Sequence, residues 1–164
     1  MKTQLPTPFR ALIIGSSGAI GSSFLELLRV DTSCEAVVGI HRKSNPSIDY
    51  KHMESIESAA QSLLGEPPFH LIINCIGLLH DAFIKPEKKL DDLDINSLRT
   101  LIDTNALGPA LTIQHFIKLM SPSGGIFATL SAKVGSIEDN RLGGWYGYRA
   151  SKAALNMLIK TASI

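Results

Sequence analysis

Three features of this 164-residue chain predict an α/β fold built on a doubly wound parallel sheet. Short apolar runs alternate along it with longer amphipathic ones. The apolar runs are near-continuous, as in strands buried on both faces. A glycine-rich turn joins the first run to the first helix, as in βα units whose crossovers place helices on both faces of a parallel sheet.

The elements follow in order. "FRALIIG" (9–15) reads as the first strand and "GAIGSSFLELLRV" (18–30) as a helix, its apolar residues recurring at helical period. "EAVVGI" (35–40) is the second strand and "PSIDY" (46–50) a short third. "MESIESAAQSLL" (53–64) reads as a helix and "FHLIINCIG" (69–77) as a strand buried on both faces. Residues 95–120 read as one long helix that Pro109 bends, because proline removes a helical N–H and crowds the preceding turn. "GGIFATLSA" (124–132) is the fifth strand, and the helix carrying Tyr148 and Lys152 comes last.

Length and composition fit a single domain spanning 1–164: 45% of residues are hydrophobic and 19% charged. A net charge of +1 gives no electrostatic footprint for nucleic acid or an anionic membrane. No apolar run approaches the ~20 residues that span a bilayer, and "MKTQLPTPFR" lacks the apolar core of a secretory signal. Cys34 and Cys75 make no disulfide framework, and Cys75, inside an apolar run, reads as a buried free thiol. The five histidines show no ligand spacing, so no metal site is expected. These features make a reducing, cytoplasmic setting the default expectation.

In "GSSGAIG", between the first strand and first helix, glycines stand at 15, 18 and 21. Such glycines let the backbone turn tightly and approach a pyrophosphate, to which a helix N-terminus offers free N–H groups. The candidate cofactor-binding residues there are Gly15, Ser16, Ser17, Gly18, Ile20 and Gly21. A tight turn in a non-binding α/β protein is the alternative. After the second strand, where dinucleotide folds often carry an acid for the ribose 2′-hydroxyl, this chain has "HRKS". A guanidinium at Arg42 suits the additional 2′-phosphate of NADP, so NADP(H) is expected over NAD; a solvated basic loop is the alternative.

Near the end, "GGWYGYRASKAAL" (143–155) sets Tyr148 four residues before Lys152, one helical turn apart on one face. An adjacent cation favours the phenolate and is expected to lower the Tyr148 pKa from its usual value of about 10, as acid–base chemistry near neutral pH needs.

With this pair, the glycine turn and "NCIG" (74–77) in order, the whole chain resembles the short-chain dehydrogenase/reductase family, which has a Rossmann-like doubly wound sheet. "VGSIEDNRLGGWYGYRASKAALN" is similar to the C-factor-like branch, which includes small carbonyl reductases. The resemblance implies hydride transfer between a nicotinamide and a carbonyl or alcohol carbon of a small-molecule substrate. It implies Tyr148 as acid/base, with Lys152 holding the nicotinamide ribose, and Asn105 placing a water in a proton relay with the lysine. Asn74 and Gly77 are assigned to the cofactor's ribose side and Asp49 to its adenine ring. A homo-oligomer formed through the long helices is implied as well.

Two departures from the family pattern shape the expectations. "LSAKVGS" puts Ala132 where the family usually has serine, leaving Ser131, one residue early, as the expected hydroxyl and Ser136 as the alternative. The chain also ends at "KTASI", where the family continues with further strands and a substrate-binding segment, so a C-terminally truncated domain is expected. His80, Asp81, Arg141 and Trp145 lie in loops placed to border a substrate, or to pack and solvate. A non-catalytic dinucleotide-sensing or interaction protein on the same fold is the rival reading.

Overall fold

A computed structural model describes residues 5–164. They form two compact units: residues through Ile76 together with Leu111–Leu130, and Gly77–Ala110 together with Ser131–Ile164.

The first unit contains a four-stranded parallel sheet of order β2-β1-β3-β4. Its strands are β1 (Phe9–Ile14), β2 (Cys34–Ile40), β3 (Leu71–Asn74) and β4 (Ile126–Thr129). Residues Ala11 to Ile14 are buried on both faces, which explains why the strand is apolar without a break after Arg10. The register aligns Ile14 with Ile40 and Asn74, and Asn74 with Thr129, so the carboxyl ends of all four strands finish together. The order reverses at β1, with β2 on one side and β3 on the other. Open α/β sheets bind ligands outside the carboxyl ends at such a reversal.

Helix α1 (Ala19–Val30) follows β1, and α2 (Glu54–Ser62) follows β2. Ile56, Ala59, Ala60 and Leu63 recur at helical spacing and enter the core with Leu12, Ile40, Ile48, Phe69, Ile72 and Phe116. The segment 46–50, read as a third strand, forms only isolated bridges, His41 to Ser47 and Asp49 to His52. Its extended residues are tied by local hydrogen bonds, as Ser55 Oγ both accepts from the Asp49 N–H and donates to the Asp49 carbonyl.

The expected long helix is instead a composite. It comprises α3 (Ile95–Ile102), a π turn (Asp103–Leu107), α4 (Gly108–Phe116) and a closing 3₁₀ turn (Ile117–Leu119). Asp94 caps α3 by accepting the Ser97 N–H at 2.7 Å. Proline at 109 cannot donate to the Asn105 carbonyl, which removes the i+4 hydrogen bond where the ladder widens. In the second unit, α5 (Tyr146–Ala162) packs against α3, the π turn and a 3₁₀ turn at Lys133–Gly135. Gly147, Ser151 and Leu155 line its buried face at four-residue spacing. Among the described residues no helix is long and apolar enough to cross a membrane.

Candidate active site

The first unit shapes the glycine turn through three close approaches. Gly15 has φ +84°, and a Cβ there would stand 2.8 Å from Ile76 Cγ1. The N–H groups of Gly15 and Ser16 both donate to the Ile40 carbonyl, and the buried Ser16 hydroxyl donates there as well. A Cβ on Gly21 would collide with the Gly15 carbonyl, so the helix starts directly on the turn only because residue 21 is glycine.

Gly18, the N-cap of α1, offers no side-chain cap, and the first turn carries no acid. Among the described residues no hydrogen bond takes up the N–H of Ser17, Ala19 or Ile20. The first amides of a helix need an acceptor, and an uncapped start presents them to an anion. The turn therefore fits a phosphate group. Ser17, Gly18 and Ile20 are exposed around it.

At the end of β2, Ser44 folds the "HRKS" loop, accepting the His41 N–H at 2.7 Å and lying 2.6 Å from the Pro46 carbonyl it donates to. Arg42 and Lys43 are left exposed on that loop. Asp49 Oδ1 accepts the Lys51 N–H at 3.1 Å. Asn74 serves the sheet's interior: its amide donates to Tyr50 Oη at 2.8 Å, its Oδ1 accepts the Ile76 N–H, and Tyr50 Oη pairs with Thr112 Oγ1 at 2.6 Å. Burial pushes the Tyr50 phenol far up, so this chain of side chains stays neutral.

The second unit gathers Gly77, Asn105, Tyr148, Ser151 and Lys152. Asn105 is fully buried, and both N–H groups and the oxygen of its amide are hydrogen-bonded. Oδ1 accepts the Leu78 N–H at 2.7 Å, and Nδ2 donates to the Leu78 carbonyl at 2.7 Å and to Ser151 Oγ at 3.0 Å. Ser151 Oγ donates in turn to the Tyr148 carbonyl at 2.8 Å. A Cβ on Gly77 would stand 3.3 Å from Asn105 Oδ1 and 3.4 Å from Lys152 Nζ, so glycine leaves room for both groups. Gly135 does the same on another side, where a Cβ would meet the Lys152 backbone at 2.9 Å.

Lys152 is only 3% exposed, and its Nζ lies 5.8 Å from the centroid of the Tyr148 ring, within cation–π reach. The expected lowering of the phenol's pKa does not occur. Burial pushes Tyr148 above its usual value and pushes the Lys152 ammonium below its own. The cation faces the ring, and desolvation penalises both charged forms.

The serines at the strand end are engaged locally. Ser131 Oγ donates to Asn156 Oδ1 at 2.6 Å, two helical turns beyond Tyr148, and Ser136 Oγ accepts the Asp139 N–H at 3.2 Å. Trp145 packs edge-on to Tyr148, with ring centroids 6.2 Å apart. Arg141 is exposed in its loop. His80 and Asp81 line a cleft of about 740 Å³ with Phe83, Lys85 and Glu87. Three residues acquire roles that spacing did not signal. Ser151 links Asn105 to α5, Arg149 holds the carbonyls of Gly143 and Gly144, and Glu87 reaches the start of α5. Their partners are mostly carbonyls and amides, which leave no pattern in side-chain identity. Among the described residues no group of three or more His, Cys, Asp or Glu is arranged to hold a metal.

A family model described as enoyl-(acyl carrier protein) reductase matches residues 33–164. A 1-hydroxy-2-glutathionyl-2-methyl-3-butene dehydrogenase of Rhodococcus sp. (strain AD45) is 33% identical over 113 residues, 69% of this chain and 47% of the relative. The chain belongs to the short-chain dehydrogenase/reductase family. An uncharacterized oxidoreductase of Schizosaccharomyces pombe is 25% identical over 90% of the chain and 62% of its own length. The chain thus spans about half to three-fifths of the curated relatives it matches. Among solved structures, a Burkholderia multivorans protein described as a short-chain alcohol dehydrogenase superposes with TM-score 0.79 at 25% identity, covering 93% of this chain and 76% of that one. The NADPH-bound carbonyl reductase from chicken fatty liver shares the fold with TM-score 0.78 at 24% identity, covering 98% of this chain and 71% of its own.

Proposed function

We propose that this family member is an NADP(H)-dependent oxidoreductase acting on a small carbonyl or alcohol substrate. The observation that carries the reading is the buried Lys152 set against Tyr148 and beside Asn105 and Gly77, in a chain of this family. Titratable groups withdrawn from water, as Lys152 is, cluster at functional sites. The uncapped start of α1 supports a phosphate-bearing cofactor, and Arg42 supports the 2′-phosphate that distinguishes NADP from NAD. Gly15, Ser16, Ser17, Gly18, Ile20 and Gly21 would hold the pyrophosphate side and Asp49 and Gly77 the adenosine and ribose ends, with Asn74 supporting the ribose side from within the sheet.

When bound, NADPH supplies the hydride that adds to the carbonyl carbon. Tyr148 gives its phenolic proton to the oxygen as negative charge develops there, and the product is the alcohol. A phenol held above its usual pKa is fully protonated at neutral pH, which suits the reductive direction. Lys152 fixes the ribose and stabilises the phenolate left behind. Asn105 supports the relay that returns a proton, its carbonyl freed from an i+4 donor by Pro109. Ser131 would polarise the carbonyl oxygen by turning its hydroxyl hydrogen from Asn156 to the substrate, and comparing S131A with S136A separates the two candidate hydroxyls.

The test is NADPH oxidation against a panel of aldehydes and ketones by the wild type and Tyr148→Phe. Turnover that falls about 10²–10⁴-fold in the variant, with NADPH affinity unchanged, is expected. Equal turnover by the two proteins would remove Tyr148 from the chemistry. The engagement of Ser131 with Asn156 favours one second reading, a non-catalytic dinucleotide sensor, which predicts NADPH binding and no oxidation across the panel.

A further inference from the structure

The start of α5 lacks the features that ordinarily build one. Trp145, at the N-cap, is left-handed with φ 54° and provides no side-chain cap, and the first turn contains no acid. The first amides of a 17-residue helix, among them that of the buried Gly147, would then be left without side-chain caps. Glu87, from a loop 60 residues earlier, supplies acceptors for two amides at this end, those of Trp145 and Gly147. Its carbonyl accepts the Trp145 N–H at 2.6 Å, and its carboxylate accepts the Gly147 N–H at 3.2 Å to Oε1 and 3.4 Å to Oε2.

Glu87 is 4% exposed, and no lysine or arginine forms an ion pair with it among the described residues. A buried carboxylate without a cation needs another source of compensation, and the positive end of a helix provides one. Glycine at 147 permits the approach: a Cβ there would stand 2.9 Å from Glu87 Oε1, 2.7 Å from Leu101 Cδ1 and 2.9 Å from Leu98 Cδ2. Tyr148 is the next residue.

We propose that Glu87 is a positioning residue for Tyr148: its buried carboxylate, bonded to the Gly147 N–H, fixes the turn of α5 from which the phenol projects. Its catalytic consequence rests on the oxidoreductase reading; the structural part does not. Trp145 is the chain's one tryptophan, its backbone N–H bonded to the Glu87 main-chain carbonyl and its ring packed edge-on to Tyr148, so its fluorescence reports on this turn.

The experiment compares Glu87→Ala, Glu87→Gln and Gly147→Ala with the wild type in Trp145 emission, NADPH affinity and kcat. Expected for E87A are a red-shifted emission and a kcat about 100-fold lower, the scale of a misplaced catalytic group, with NADPH affinity held within about twofold. E87Q keeps an acceptor oxygen for Gly147 and should recover most of kcat. If E87A does not fold, G147A carries the test, because its Cβ displaces the carboxylate and should reproduce both changes. Wild-type emission and kcat in E87A, or in G147A, would overturn the proposal. If the wild type itself shows no turnover, the oxidoreductase reading falls alone, and the emission of E87A still decides for or against Glu87.

Discussion

Lys152 Nζ stands over the face of the Tyr148 ring, 5.8 Å from its centroid, and the side chain carrying it is almost wholly withdrawn from water. One turn of helix brings the two residues together, and burial then sets their protonation. Phenol and ammonium both move toward their neutral forms, Tyr148 upward and Lys152 downward.

The first prediction concerns pH. Carbonyl reduction needs the protonated phenol, so its rate should hold through neutral pH and fall only above the usual tyrosine value of about 10. Alcohol oxidation needs the phenolate and should rise over the same alkaline range. Rate profiles in both directions check this. A reductive rate that declines between about pH 6 and 8 would show a phenol pulled down rather than up.

Asn105 should be costly to replace. Its amide satisfies both backbone groups of Leu78 from a fully buried position. Removing it in Asn105→Ala orphans a donor and an acceptor, and a loss of about 2–4 kcal/mol is expected in urea unfolding. Asn105→Asp should not restore stability, because an ionised carboxylate cannot donate to the Leu78 carbonyl. Wild-type stability in either variant would contradict the role given to this side chain.

Gly21→Ala places a methyl group against the Gly15 carbonyl, where backbone rather than a flexible side chain must yield. A destabilisation of about 1–3 kcal/mol is expected. NADPH binding should weaken with it, as the turn moves off the start of α1. Calorimetry and titration of the same preparation measure both, and unchanged affinity would separate the turn from the cofactor.

Cys75 is a half-buried thiol pushed up to about 11 by desolvation. At pH 8 its thiolate fraction is about a hundredfold below that of an unperturbed cysteine, so alkylation in a Cys34→Ser background should be slowed by about that factor. The folded pKa lies above the unfolded value of 9.0, so the thiol's contribution is complete below pH 9 and is lost as pH rises toward about 11. A Cys75→Ala variant should lose less stability over that range than the wild type.

The sheet was readable because its evidence is local. β1 is apolar apart from Arg10 and runs into a glycine, and the glycines at 15 and 21 answer backbone constraints that few other residues meet, whereas Gly18, in ordinary extended backbone, has room for a Cβ. The π turn at Asp103–Leu107 was not readable, since a five-residue widening leaves apolar spacing almost intact and Pro109 alone hints at it. Residues 46–50 alternate like a strand, yet local hydrogen bonds to Ser44 and Ser55 take up their backbone. The Tyr148–Lys152 spacing was legible, but the direction of the phenol's shift was not, because burial is set by the packing of α3 and the turn at 133–135 around α5. Glu87 was invisible for the same reason, as its contacts are backbone amides 58 and 60 residues away.

The most direct measurement is a fluorescence titration of the purified chain with NADPH and with NADH, repeated on Arg42→Asp. The account predicts NADPH binding at least about tenfold tighter than NADH, a difference of about 1.4 kcal/mol, and loss of that preference in the variant. Binding of neither cofactor, or a preference for NADH in the wild type, would contradict it.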